Sequence, residues 1–290
     1  MSEWYKDDAQ KQRLLNLINS EGYVLEDRVG ALLSRKYPAT CTKQVYEQPG
    51  SVDKERVEID AWLKRSIAYF IFEVKNSAYD WVFLKGPRTD QHFHFIYYTN
   101  NGPYTLAVMP SNKHPTNSIV TEAVFEILVD SKGVFLEKQK QKPVHKGKEF
   151  PERPSGREIV RPAIKQLLKN LETLSYYELF NIQKAVKDVP YVGLYPILVT
   201  NAKLYAFTYD ETNVDEKADL SSLQDLSEQP WLVLNYSEIL RWDENLRQII
   251  NHIGFDLNQV HDSRDYMGSH LKSVFVVNQN HLLDFLEGWL

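Results

Sequence analysis

Two strand-like runs, 57–63 (Val-Glu-Ile-Asp-Ala-Trp-Leu) and 67–75 (Ile-Ala-Tyr-Phe-Ile-Phe-Glu-Val-Lys), constrain this chain more than any other feature. Both are rich in β-branched and aromatic residues, and the short gap between them marks an antiparallel hairpin. Side chains on a strand alternate between the two faces of a sheet. Val57, Ile59, Ala61 and Leu63 therefore share one face of the first run, with Glu58, Asp60 and Trp62 on the other. In the second run Ala68, Phe70, Phe72 and Val74 form an apolar face, opposite Tyr69, Ile71, Glu73 and Lys75.

Pairing register decides whether the charged residues meet. A two-residue turn at Arg65-Ser66 sets Asp60 opposite Ile71, on the face of Glu73 and Lys75 and diagonal to Glu73. A three-residue turn sends Asp60 to the other face. Arg-Ser is not a favoured tight-turn pair, so a bulge or a longer loop of the same parity is expected. The triplet acid-x-Lys is weak by itself, since about three occur by chance in a chain of this composition. Asp130-Ser131-Lys132 opens a turn and Asp215-Glu216-Lys217 lies in a polar, acidic stretch, so both read as solvated surface. Only Glu73-Val74-Lys75 ends an apolar strand that follows another strand with an aspartate in its middle.

Upstream, one helical pattern ends at Asn19-Ser20 and another starts at Gly22-Tyr23, with Leu25, Val29, Leu32 and Leu33 at helical spacing up to Lys36. Glu26 lies at the border of that apolar stripe, and Gly30 lets the helix approach a sheet closely.

A helix with Gly-Tyr-x-x-Glu, a strand with Glu-Ile-Asp and a strand with Glu-Val-Lys, in that order, resemble the PD-(D/E)xK nuclease superfamily in its Mrr-like branch. The likeness is closest over residues 19–87 and extends more loosely to a helix at 162–171 and strands at 195–209. Ile59 stands where that family's motif often has proline, and many members keep the fold without activity. The resemblance implies an α/β fold, a restriction-endonuclease-like central mixed sheet flanked by helices. It also implies a Mg2+ site, with Mn2+ able to substitute, held by Asp60, Glu73 and the Val74 carbonyl, with waters completing an octahedral shell. Lys75 would orient the attacking water or help deprotonate it, and Glu26 would stand in the outer shell or help hold a second ion. Glu58 reads as a solvated charge. The implied activity is hydrolysis of DNA phosphodiesters, in host defence or DNA processing, with RNA a lesser alternative.

The aromatic stretch 76–83 next to this site reads as packing before base stacking. His92 and His94 alternate on a strand-like run and point one way, but zinc would need further ligands at recognisable spacing, which the chain lacks. No Gly-rich phosphate loop occurs, which argues against a nucleotide-driven motor or a dinucleotide fold. A net charge of -5 and a pI near 5.9 exclude a uniformly basic nucleic-acid binder. Charge is unevenly spread, however: 132–165 holds ten Lys or Arg against four Glu, and 205–290 five against fifteen acids. Lys138, Lys140, Lys142, Lys146 and Lys148 are therefore the candidates for phosphate contacts, or else a solvated linker. One cysteine, Cys41, leaves no internal disulfide and suits a reducing cytoplasm. The acidic start excludes a signal peptide there, and no apolar run is long enough to span a bilayer.

The expected organisation is a nuclease-like domain over 1–210 and an acidic α/β elaboration or small second domain over 211–290. Within the first, 19–110 is the catalytic half, 132–156 a basic linker and 162–209 the completion of the sheet. The acidic region is expected to face away from DNA, meet a partner protein or form a lid, and a homodimer would suit double-strand cleavage. Two other functional classes stay open: a nuclease-fold binding module without activity, and an interaction component of a larger nuclease assembly.

Overall fold

A computed structural model describes residues 7–20, 22–48, 55–99, 102–108, 118–129, 135–136, 160–216, 219–220, 226–236 and 272–289. Helices α1 (Asp8–Ser20) and α2 (Tyr23–Lys36) precede strands β1 (Thr40–Glu47), β2 (Arg56–Arg65) and β3 (Ala68–Lys75). Next come β4 (Asp80–Lys85), β5 (Phe93–Thr99), β6 (Gly102–Val108), β7 (Val120–Thr121), β8 (Ala123–Val129) and β9 (Phe135–Leu136). Helix α3 (Val160–Ala185) leads to β10 (Val192–Thr200), β11 (Leu204–Thr208), β12 (Ser227–Gln229), β13 (Trp231–Tyr236), β14 (Lys272–Asn278) and α4 (Leu282–Glu287). No described helix is long and apolar enough to cross a membrane.

The larger sheet is mixed and runs β1-β2-β3-β10-β14-β13-β7, with β5 on the early part of β10 and β6 beyond it. Strand β10 lies parallel to both β3 and β14, and its end aligns Leu198 with Glu73 and Thr200 with Lys75. A smaller sheet, β12-β11-β4-β8-β9, continues from the ends of β3 and β10 through β4 and β11. Segment 121–129 is almost wholly strand, and the apolar stretches 231–234 and 274–277 lie in β13 and β14. Strand β14 pairs with β10 and β13 with β14, so these described strands after residue 210 lie in the same sheet as β3 and β10.

Each face of the large sheet is covered. On one, Ile164, Leu167, Leu168, Leu171 and Leu174 of α3 pack on Tyr69, Ile71, Leu194 and Leu198. On the other, Leu25, Val29 and Leu33 of α2 and Leu282, Phe285 and Leu286 of α4 pack on Phe70, Phe72, Val74, Ile197, Val199, Phe275 and Val277. Strand β3, antiparallel to β2 and parallel to β10, is therefore apolar on both sides for most of its length, as a strand covered on both faces must be.

The hairpin departs from its expected register. Arg65 pairs with Ala68, so the turn is Ser66-Ile67, with Ser66 at φ 51°, and Trp62 rather than Asp60 faces Ile71. The ladder ends at Ala61–Phe72, which leaves Asp60 and Glu73 as the next opposed positions. Parity is unchanged, but the two acids stand directly across from one another. Strict alternation also fails once. Ala61 and Leu63 join the α2 side, whereas Ile59 joins the α3 side. The switch falls at Asp60, opposite Lys43, whose φ of 49° interrupts the β1–β2 ladder. At this level the Asp60 carboxylate reaches the Val74 N–H.

Gly22 opens α2 with φ 79° and accepts the first helical bonds from Leu25 and Glu26 on its carbonyl. A Cβ there would have ordinary room, its nearest neighbour being Asn76 Cβ at 3.6 Å. Conformation rather than space therefore sets the cost of a side chain. Gly22→Ala is expected to destabilise the protein by about 1 kcal/mol, read from urea unfolding midpoints; an unchanged midpoint would contradict the left-handed start of α2.

Candidate metal centre

The C-terminal end of β3 is where the charges gather. Glu73 follows two fully buried residues, Ile71 and Phe72, and is itself only 1% exposed. Its Oε1 lies 2.5 Å from Lys75 Nζ, and its Oε2 accepts a 2.9 Å hydrogen bond from Asn170 Nδ2 of α3. Asp60 Oδ2 accepts the Val74 backbone N–H at 2.7 Å, a side-chain bond that takes over where the β2–β3 ladder stops. Two carboxylates, one ammonium and one main-chain amide thus occupy the same strand ends.

The end of β3 is pinned beyond Lys75 as well. Ser77 N–H donates to Asn201 Oδ1 at 2.7 Å, and Asn201 Nδ2 donates back to the Ser77 carbonyl at 3.2 Å. Helix α2 begins against the same point, since Gly22 abuts Asn76. Glu26, in the first turn of α2, is half-buried there, and its charge acts on both Asp60 and Lys75. Glu58 is exposed, with only a weak influence on Asp60.

Burial followed by the Asp60 charge drives Glu73 up to about 8, with Lys75 and Asn170 opposing. Asp60 rises to about 6, again chiefly through burial, against the Val74 N–H and Lys75. Burial pushes the Lys75 ammonium down, but Glu73, Asp60 and Glu26 more than reverse this and hold it above its ordinary value. Lys75 therefore stays charged while the two acids compete for it, and they titrate as a pair. One lysine does not neutralise two carboxylates, and a divalent cation fits the imbalance.

Of the residues the sequence nominates, Asp60, Glu73, Val74 and Lys75 are brought together and Glu26 stands beside them. Lys138, Lys140, Lys142, Lys146 and Lys148 lie outside the described residues. Trp81 and Phe83 are completely buried, so those aromatics are core. His92 Nδ1 and His94 Nε2 both bond Asp90, at 2.7 and 2.8 Å. Slight burial pushes the Asp90 carboxyl up, but the His92 N–H and the two rings pull it down to about 2. Among the described residues no group of three or more His, Cys, Asp or Glu could hold a metal ion. Any ion at the β3 end would therefore have two carboxylates and main-chain or water oxygens, which suits Mg2+ rather than zinc.

Asn170 is the residue that pattern reading missed. Its signal is a lone amide within the buried α3 stripe of Leu167, Leu171 and Leu174, where a polar group must have a partner.

Comparison of the chain with family models, with curated proteins and with solved structures finds no match.

The titration has a stability consequence. Below about pH 4.5 Glu73 is protonated whether folded or not; between there and about 8 the unfolded chain ionises it and the folded chain resists. Stability of the metal-free protein is therefore lost as pH rises through that window. In urea unfolding with EDTA at pH 5.5 and pH 8, Glu73→Gln should reduce the loss and exceed wild type in stability at pH 8. Identical pH dependence in the two proteins would contradict the buried-acid account.

Proposed function

We propose that the chain is a divalent-metal-dependent endonuclease of the restriction-endonuclease-like, PD-(D/E)xK kind, hydrolysing DNA phosphodiester bonds in the cytoplasm. The observation that carries this reading is the convergence of Asp60, Glu73 and Lys75 at one buried strand end, two carboxyl groups beside one ammonium. Uncompensated acids are poor choices for stability alone, and their retention is accounted for if a cation completes them.

Asp60 and Glu73 would hold Mg2+ with the Val74 carbonyl. When bound, such an ion polarises a phosphoryl oxygen and acidifies a coordinated water. Asp60 is oriented for this by the Val74 N–H, which fixes one oxygen and leaves the other available. Lys75, 35% exposed at its side chain, is open enough to reach a scissile phosphate or the attacking water. Positioning is the role its chemistry favours, because its charge is stabilised and it is a poor base. Glu26 tunes the field from the start of α2. The basic stretch between Lys132 and Lys165 supports a polyanionic substrate despite the net charge of -5.

The test is cleavage of plasmid and linear DNA in Mg2+ or Mn2+, with EDTA as control. Activity should require the ion, and Asp60→Ala and Lys75→Ala should each lower the rate about a hundredfold or more. DNA binding with no metal-dependent cleavage by the wild-type protein would contradict the proposal, as would full activity in either variant.

A further inference from the structure

Glu73 is held from both sides, and the two donors differ in kind. Lys75 brings charge to Oε1, whereas Asn170 brings a neutral amide to Oε2. Asn170 is completely buried in the middle of α3, so its amide has no water to fall back on. An Asn side chain can turn either its NH2 or its oxygen toward a neighbour, and nothing in Asn170 alone selects the donor. Gln166, one turn earlier and half-buried, is matched to the donor orientation: its Nε2 donates to Asn170 Oδ1 at 2.8 Å. With Oδ1 accepting from Gln166, Nδ2 is the group turned to Glu73. Reversal would set an amide oxygen against a carboxylate oxygen and strand the Gln166 donor.

We infer that Gln166 and Asn170 form a positioning relay on α3 that fixes the orientation of the Glu73 carboxylate for cation binding. The relay rests on the metal-dependent reading above and adds to it two residues on a helix outside the acid-x-Lys motif. Neutrality is the point of the device. A lysine or arginine at position 170 would satisfy Glu73 by supplying the charge that a metal ion is needed for. An amide supplies direction and leaves the charge imbalance of Asp60 and Glu73 in place. Partners that orient metal ligands from behind in this way commonly carry a tenfold to hundredfold effect on affinity.

Mn2+ titration of the full chain, followed by the loss of free-ion signal in electron paramagnetic resonance, tests this directly. Wild type should bind an ion that Glu73→Gln abolishes, and Asn170→Ala should weaken that binding about tenfold to a hundredfold. Gln166→Glu is the sharper variant, being nearly isosteric and partly solvent-facing, with unfolding midpoints confirming that it folds. It has no donor for Asn170 Oδ1, so it should draw the Asn170 NH2 away from Glu73 and weaken Mn2+ binding more than Gln166→Ala does. A merely structural role for Gln166 gives the opposite order, because alanine removes more packing. Glu73-dependent binding in wild type that Asn170→Ala and Gln166→Glu leave unchanged would overturn the relay alone. Absence of Glu73-dependent binding in wild type would overturn the proposed function and the relay with it.

Discussion

Two carboxylates share the end of one strand pair with a single ammonium beside them, and much of the architecture serves to keep them there. Asp60 and Glu73 would separate or take up water if the strands allowed it. They cannot, because the Val74 amide holds Asp60, and Lys75 and Asn170 hold Glu73. Burial then drives both acids toward protonation at pH values where free carboxylates are ionised. The cost of this arrangement is borne by the packing around it. Strand β3 has α3 over one face and the α2 and α4 layer over the other, so its charged end is attached to a strand buried on both sides.

Local irregularity completes the site. A flat, fully paired hairpin would point Asp60 away from the sheet plane and commit Val74 N–H elsewhere. Lys43 is left-handed and its pair with Asp60 is missing from the β1–β2 ladder, and at that level the Asp60 carboxylate accepts the Val74 amide. Such breaks in a ladder re-aim side chains at functional positions. Parallel pairing with β10 adds rigidity on the other side, and the Ser77–Asn201 pair closes the end of both strands.

The facing of Asp60, Glu73 and Lys75 was legible in the chain because strand periodicity is two and any even shift of register preserves it. The register was not, since it depended on Ser66 taking a positive φ, which no residue preference announces. Ile59 packs on the side opposite to the one its alternation with Ala61 predicts, because regular alternation breaks at Asp60. Helix α2 is legible from its apolar stripe of Leu25, Val29, Leu32 and Leu33. That β13 and β14 extend the same sheet was not, because strand pairing over such separations leaves no local trace. Asn170 stood out only as a polar residue among leucines, and its partner Glu73 is 97 residues away.

The central claim is that Asp60 and Glu73 form a cation site rather than a buried structural pair, and a crystal grown with Mn2+ and examined by anomalous scattering tests it most directly. The account predicts an anomalous peak in contact with both carboxylates, at about 2.0–2.3 Å from their oxygens. An anomalous map with no peak at the β3 end, with Lys75 still paired to Glu73, would contradict it.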